Sequence, residues 1–329
     1  MVLLAAALIA MITPSAATAG QPSMTPTATL LATGLEGTQG STVGPDGALY
    51  VTECLLGRIW RVDPETGQVT TFASGLPASL FGINGGGVVD VAFIGKTAYA
   101  LVTFVGSDVG GSDVVGIYRV DGPNSFTVVA DIGEFNLLNP PTHVFQIDVA
   151  TGYQYAIQTY RGGFLVTDGH LNRVLRVTLD GEVTELIAFD DIVPTGLAVA
   201  GDTIYMAEAG PVPHLPENGK VVSFGPKSST VTVVASGAPI LVDVEFGRGR
   251  TLYALSNGTF SGDVAGSPGL PNTGALLKVN ADGTFTVVMA GLDQPTSLEF
   301  IQNKAYVVTL TGEIWMIDGI SGPPYGPTP

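Results

Sequence analysis

Carboxylates lie at the ends of five predicted β-strands, where they could act together. Glu53, Asp168 and Glu208 each end a short apolar strand, while Asp90 and Asp243 begin another. Carboxylate oxygens are the ligands that Ca²⁺ and Mg²⁺ prefer. If the five side chains meet, they predict a divalent-cation site. A purely structural role stays open, because carboxylates at strand ends also cap turns, and so does direct contact with a ligand.

The three histidines and one arginine are the candidates for moving protons or holding a substrate. His143, His170 and His214 fall in predicted loops, and Arg161 follows a strand. Imidazole beside a carboxylate suits a transition metal or a general base. No HxxxH or HExxH spacing supports this interpretation, so solvated loop histidines are the alternative. Arg161 could bind an anionic substrate, although Arg-Gly-Gly is first of all a turn signal.

Motifs for nucleophilic or nucleotide chemistry do not match. Ser256 lacks the strand-turn-helix context of a nucleophile elbow. The glycine-rich stretches 85–87 and 106–111 are not followed by the Lys-Ser/Thr of a phosphate-binding loop. We therefore expect no nucleotide cofactor.

The elements that must position these residues come from a phrase that recurs six times. Each copy has an apolar strand, a loop and a strand of the type Gly-x-apolar-apolar-x-apolar, as in 48–62 and 98–120. A repeat of roughly 40 to 60 residues built from four short strands is typical of a β-propeller. The sequence predicts an all-β, six-bladed propeller of four-stranded antiparallel blades, spanning residues 27–320.

The last repeat lacks a fourth strand of its own. The segment 28–35 resembles the fourth strand of the first repeat, 71–76, yet comes before any complete repeat. An unpaired sheet edge must be covered. We therefore predict that this N-terminal strand pairs into the last blade and closes the ring.

The long connections are predicted to share one face. Strands alternate in direction, so the connections between blades and those between second and third strands emerge together; we call this side the loop face. It includes the insertion 131–153, in which 134–138 predicts one or two helical turns. Function on a rigid scaffold usually lies on such loops.

Charge and composition exclude several classes of partner. The 329 residues carry 13 Lys and Arg against 29 Asp and Glu, a net charge of −16, which disfavours nucleic acid and anionic membranes. Residues 1–19 are typical of a signal peptide, although no positive charge precedes the apolar run, which is also too short to span a membrane. We expect a linker over 20–26, a disordered Pro/Gly tail over 321–329, and an exported monomer, secreted, periplasmic or in the cell envelope. The single cysteine, Cys54, cannot form an internal disulfide and is expected to be buried.

The chain resembles the bacterial ScyD/ScyE family of exported propellers. The resemblance rests on the segments 44–53, 57–63 and 194–199 and covers roughly residues 27–320. The same phrases are similar to NHL-repeat proteins, the gluconolactonase/regucalcin group and streptogramin lyase. The resemblance implies the fold and export but no settled catalytic residues.

These observations lead to three hypotheses of function. The first is a propeller that binds a small molecule or a partner's loop at its acidic loop face, around a divalent cation such as Ca²⁺ or Mg²⁺. The second is a metal-dependent enzyme of the lactonase or lyase kind at the same face. The third is a cell-envelope interaction scaffold, which an exposed apolar patch on the side of the ring would favour.

Overall fold

Six four-stranded antiparallel sheets form the ring. The computed structural model describes residues 25–143, 149–227, 230–262 and 266–320. Within each sheet the strands follow one another outward, and the innermost strands of all six sheets line a central channel. The predicted six-bladed propeller is confirmed.

The blades are numbered by the chain order of their inner strands. Blade 1 comprises β2 (Thr38–Val43), β3 (Leu49–Glu53), β4 (Arg58–Val62) and β5 (Val69–Ser74). Blade 2 comprises β6 (Gly87–Ile94), β7 (Thr97–Thr103), β8 (Gly116–Gly122) and β9 (Ser125–Asp131). Blade 3 comprises β10 (Gln154–Tyr160), β11 (Gly163–Asp168), β12 (Arg173–Val177) and β13 (Val183–Ala188). Blade 4 comprises β14 (Pro194–Ala200), β15 (Thr203–Glu208), β16 (Lys220–Phe224) and β17 (Thr232–Ser236). Blade 5 comprises β18 (Leu241–Phe246), β19 (Leu252–Ser256), β20 (Gly274–Val279) and β21 (Phe285–Leu292). Blade 6 comprises β22 (Pro295–Ile301), β23 (Lys304–Thr309), β24 (Ile314–Asp318) and β1 (Thr27–Ala32).

The N-terminal strand closes the ring as predicted. β1 pairs antiparallel with β24, from Thr27 opposite Asp318 to Ala32 opposite Ile314. The first and last described strands thus share one sheet. Because the ring is closed, two neighbouring blades can separate only if this sheet or a second blade interface also breaks.

The hydrophobic core is divided into six seams, one between each pair of neighbouring blades. The seam between blades 1 and 2, for example, packs Tyr50 and Ile59 against Val91 and Ala100. Five similar clusters fill the other interfaces. The core is thus spread over six blade interfaces, and the rigidity of the ring depends on the packing in each of them.

Every inner strand bulges against its neighbour near its loop-face end. The register shifts once in each of the six pairs, as between Val88 and Asp90 in blade 2 and between Leu241 and Asp243 in blade 5. A bulge leaves backbone groups unpaired and re-aims the side chain. The bulges thus direct a ring of side chains toward the channel.

The predicted helical turns are present in the insertion after blade 2. The helix α1 (Ile132–Leu138) is capped by Asp131, whose carboxylate accepts the N–H of Glu134 at 2.7 Å. Within the described ranges, no helix has the length and apolar character needed to span a membrane. The predicted signal peptide and the C-terminal tail, 321–329, lie outside the described residues, as does most of the linker.

Candidate functional site

A cavity in the channel is lined by the inner strands of all six blades. Its volume is about 50 Å³, room for about four waters when one needs roughly 10–15 Å³. Four carboxyl groups line it: Asp90, Asp243, Glu245 and Glu299. None of the described residues lining it is Lys, Arg or His. The cavity is therefore polar and contains acidic groups without a basic partner.

Asp90 joins its own blade to the next one. Its Oδ1 accepts the N–H of Val91 at 2.8 Å, and its Oδ2 accepts the N–H of Ile157 in blade 3, also at 2.8 Å. On the other side the carboxylate lies against Gly40 of blade 1, where an added Cβ would sit 2.1 Å from Oδ1. The glycine leaves the space that the carboxylate occupies.

Asp243 repeats this arrangement on the opposite side of the ring. Its oxygens accept the N–H of Val244 at 2.8 Å and that of Leu298 in blade 6 at 2.7 Å. A Cβ on Gly196 of blade 4 would lie 2.3 Å from Asp243 Oδ1. Ser297 plays the same part between blades 6 and 1, since its Oγ accepts the N–H of Ser41 at 3.0 Å. These side chains satisfy the backbone groups of the bulged strands.

A second layer of carboxyl groups lies two residues further along the inner strands. Glu245 and Glu299 occupy equivalent positions in the adjacent blades 5 and 6. Glu245 Oε2 accepts only the N–H of Phe246, at 3.2 Å, among the hydrogen bonds of the described residues. The cavity thus contains two layers of acidic groups, one at the bulges and one beyond them.

Burial raises the pKa of every carboxyl group in the cavity. Desolvation raises the pKa of Asp243 to about 7. It also raises the pKa values of Asp90, Glu245 and Glu299 well above their ordinary range, and the negative charges of the others add to the effect. Like charges in a low-dielectric space cannot all be ionised together. The four groups must share protons or bind a cation.

Tyr155 lies across the loop-face end of the cavity. Its hydroxyl donates a long hydrogen bond of 3.5 Å to the carbonyl of Thr296, so the side chain reaches from blade 3 to the opposite blade 6. Burial raises the pKa of this phenol well above its usual value. Tyr155 is therefore a neutral group that narrows the channel below the loops.

Four rings form a continuous surface on the loop face, which we call the aromatic shelf: Phe81, Phe104, Tyr153 and His170. Ring centroids lie 4.6 Å apart from Phe81 to Phe104, 5.6 Å from Phe104 to Tyr153, and 5.2 Å from Tyr153 to His170. The shelf lies near the channel mouth, because Tyr153 is close enough to Tyr155 to interact with it electrostatically. It places apolar faces beside the acidic cavity.

Of the five predicted cation ligands, the structure brings Asp90 and Asp243 to one cavity. Glu53, Asp168 and Glu208 end their strands on the loop face but do not line that cavity. Within the described ranges, no three His, Cys, Asp or Glu side chains are grouped closely enough to hold a metal ion. A cation at any of the five residues stays a prediction.

Asp168 anchors the insertion to blade 3. Its carboxylate accepts hydrogen bonds from the side chains of Asn136 and Gln154, both at 2.8 Å, and from the N–H groups of Tyr153 and Leu171 at 3.1 and 3.0 Å. Asn136 in turn accepts a hydrogen bond from the buried Arg173 at 2.8 Å. These hydrogen bonds give Asp168 a structural role that requires no bound cation.

Glu53 and Glu208 are buried with fewer partners. Glu53 is 3% exposed, and its Oε2 has no hydrogen bond within the described part of the chain, although Arg58 Nη1 lies 3.9 Å away. Burial raises the pKa of Glu208 to about 7, against the opposing charge of Lys220. Both are buried acids outside the cavity, and each has one basic side chain nearby.

The histidines lie on the loop face as predicted, in different surroundings. His143 is exposed after α1, His170 belongs to the aromatic shelf, and His214 is buried against Phe260 with ring centroids 5.1 Å apart. Burial lowers the pKa of His170, which favours the neutral imidazole. Arg161 lies in the turn between β10 and β11, on the face opposite the loops, where it pairs with Asp202. The geometry thus separates Arg161 from the channel mouth.

Glu245, Glu299 and Tyr155 were not among the site residues predicted from the sequence. The first two lie two residues after Asp243 and Ser297, so an alignment of the inner strands extended by one more alternate position could have found them. No comparable signal marks Tyr155, since the other blades place different residue types at its position. Cys54 is fully buried as predicted, and burial raises the pKa of its thiol to about 11.

Comparison with solved structures finds the same ring in enzymes. Virginiamycin B lyase from Staphylococcus aureus superimposes with a TM-score of 0.54 at 13% identity, covering 90% of this chain and 99% of that chain. A gluconolactonase from Xanthomonas campestris gives a TM-score of 0.62 at 13% identity over 92% of this chain and 93% of that one. The PQQ-bound aldose sugar dehydrogenase from Streptomyces coelicolor gives 0.61 at 15% identity over 90% and 99%. The likeness is one of fold.

No protein-family description matches the sequence, and no curated protein matches it. Propeller folds host many unrelated activities, so function must be argued from the site.

Proposed function

We propose that the protein binds a small positively charged group at the loop-face end of its channel, with Ca²⁺ or Mg²⁺ as the simplest occupant. The observation that carries the proposal is the convergence of Asp90, Asp243, Glu245 and Glu299 on one cavity whose described lining has no basic side chain. Buried charge is costly unless it is paired. A cation supplies the pairing that the protein itself lacks there.

The arrangement supports a hydrated ion and not a dehydrated one, because no three acidic side chains of the described residues lie close enough together to ligate one ion directly, so water must complete its coordination. A carboxylate offers about four acceptor positions, and Asp90 and Asp243 use part of theirs on backbone N–H groups. Glu245 and Glu299 have oxygen capacity left. Hard cations accept carboxylate and water oxygens together, and a cavity of about 50 Å³ has space for both.

Thermal unfolding tests the proposal directly. The protein is treated with a chelator, dialysed, and unfolded with Ca²⁺, Mg²⁺, Mn²⁺ or Zn²⁺. A cation at 100 times its Kd stabilises the folded state by about 2.7 kcal/mol. We expect a rise in Tm with Ca²⁺ or Mg²⁺ that is lost in Asp243→Asn and kept in Asp190→Asn, whose exposed carboxyl lies outside the cavity. No rise with any cation would refute the ion as occupant.

An enzyme of the lactonase or lyase kind is the second candidate. The specific observation is His170, whose Nδ1 is buried without a hydrogen-bond partner among the described residues and lies beside Tyr153 at the channel mouth. A neutral imidazole near a bound cation could act as a general base. Screens with small lactones and esters, using His170→Ala and Asp243→Asn as variants, test this: turnover that both variants abolish supports the enzyme.

Export and membership of the ScyD/ScyE family remain part of this proposal. The segments 44–53, 57–63 and 194–199 support the family resemblance, and the signal-peptide pattern of residues 1–19 supports export. Detection of the mature chain outside the cytoplasm, beginning near residue 20, would test export.

The scaffold hypothesis, which an exposed apolar patch on the side of the ring would favour, has less support. Exposed apolar side chains of the outer strands belong to four different blades: Leu30, Val128, Val233 and Val287. Scattered single residues of this kind are ordinary on protein surfaces.

A further inference from the structure

The aromatic shelf presents apolar surface to solvent beside the channel. Phe81 is 43% exposed, and the neighbouring Leu80 and Ile83 are 50% and 38% exposed. Contiguous exposed apolar surface with a polar border marks a binding site more often than a structural one. The cation proposal leaves this surface without a role.

The shelf is held in place by unusual local backbone. Phe104 has a φ of 58°, a left-handed conformation that bulky residues rarely adopt. Gly85 and Gly86 let the neighbouring loop pass directly against the rings. An added Cβ would lie 2.4 Å from Tyr153 Oη at Gly85 and 3.0 Å from Phe104 Cβ at Gly86. The positions of the rings are therefore fixed before any ligand arrives.

Two polar features lie beside the shelf. The buried Nδ1 of His170 lacks a hydrogen-bond partner in the described part of the chain, which is a costly state for a polar atom. Gln39 lines the channel cavity and its Nε2 donates to the carbonyl of Ile83 at 3.4 Å, so the loop that carries Phe81 meets the cavity at this residue. A ligand lying on the shelf would reach the cavity at its edge.

We infer that the shelf binds the planar ring of an organic amine whose ammonium group is directed at the channel carboxylates. The inference rests on the proposed function, because it uses the same unpaired acidic groups. Aromatic rings stack on a planar ring, and an ammonium group is attracted both by aromatic faces and by carboxylates. The net charge of −16 and the absence of basic residues among the described cavity lining disfavour an anionic ligand.

Isothermal titration with a matched pair of probes tests the ring and the charge separately. The probes are 1-naphthylmethylamine and 1-naphthylacetate, which share a ring and differ in the sign of their charge. We expect the amine to bind at least about tenfold more tightly than the acetate, and excess Ca²⁺ to compete with it. Phe81→Ala should weaken the amine about fivefold, equivalent to about 1 kcal/mol, the scale of one ring contact.

A control variant removes an equally exposed apolar side chain elsewhere. Leu179 is 44% exposed and lies in the turn between β12 and β13, on the face opposite the shelf. Leu179→Ala should leave the amine's affinity unchanged. Thermal unfolding shows whether Phe81→Ala, at an exposed site, keeps the fold.

The outcomes separate this inference from the cation proposal. Equal affinity of the amine for wild type and Phe81→Ala would refute the shelf as the binding site. Equal affinity of the two probes would refute an amine as the preferred ligand. If Ca²⁺ or Mg²⁺ stabilises the protein but the amine does not bind, the inference fails and the cation proposal stands. If neither binds, both fail.

Discussion

Replacing Asp243 by Asn should change the stability of the protein in opposite directions at low and high pH. Burial raises the pKa of Asp243 from 3.8 to about 7. In the folded state the group therefore keeps a proton that the unfolded chain releases as the pH rises above 4. The free energy of unfolding then falls as the pH rises through this interval, and the loss is complete above pH 7.

The size of the effect follows from the shift. About three pKa units at roughly 1.4 kcal/mol each give a penalty of about 4 kcal/mol at pH 8 in the wild type. Asparagine carries no charge and can still accept the N–H of Leu298, but its amide cannot also accept that of Val244. This lost hydrogen bond costs about 1 kcal/mol. We expect Asp243→Asn to be less stable than wild type by about 1 kcal/mol at pH 4 and more stable by about 3 kcal/mol at pH 8.

Urea unfolding of the chelator-treated protein from pH 4 to pH 8 measures both values. Asp190→Asn is the control, since it changes an exposed carboxyl outside the cavity. A crossing of the wild-type and Asp243→Asn stability curves supports a buried acid without a counter-charge. If Asp243→Asn lowers the stability equally across this pH range, the carboxylate is already stabilised by its backbone partners and the reasoning is wrong.

Three further predictions concern the framework. Deleting residues 27–35 removes the strand that pairs with β24, so cooperative thermal unfolding should be lost or shifted strongly downward; an unchanged Tm would contradict the closure of the ring by β1. Gly40→Ala should destabilise the fold by about 2 kcal/mol or more, since its Cβ would lie 2.1 Å from Asp90 Oδ1 and 2.7 Å from the backbone carbonyl oxygen of Val89; urea unfolding should show a smaller cost in an Asp90→Ala background, where only the backbone contact remains. Asp168→Ala should cost about 4 kcal/mol or more, because four donors lose their acceptor; a loss below 1 kcal/mol would mean that water replaces the carboxylate.

The architecture was predictable because each blade repeats one local pattern. Period-two apolar alternation, turn residues and the incomplete sixth repeat were enough to predict both the blades and the closing strand. The equivalence of Asp90, Asp243, Gly40 and Gly196 along the inner strands was also visible in the sequence. The reason for this equivalence was not visible in the sequence, because only the structure shows that the glycine of one blade makes room for the carboxylate of the next.

The remaining features depend on contacts between segments far apart in the chain. Asp168 was expected as a possible ligand, but its partner Asn136 comes from the inserted helix, which no repeat pattern aligns with blade 3. The aromatic shelf likewise takes its rings from several separate loops, and loop conformation does not follow a strand period. The repeat aligns Glu245 with Glu299, but only the structure shows that both carboxyl groups are buried in the channel.

Calorimetric titration of the chelator-treated protein with Ca²⁺ and Mg²⁺ at pH 7, in two buffers of different ionisation enthalpy, tests the central claim most directly. If the channel carboxyl groups share protons until a cation arrives, binding must displace protons, and the measured heat must differ between the buffers. The account predicts saturable binding with proton release that Asp243→Asn reduces. Absence of binding by either ion, or binding without proton release in both proteins, would contradict it.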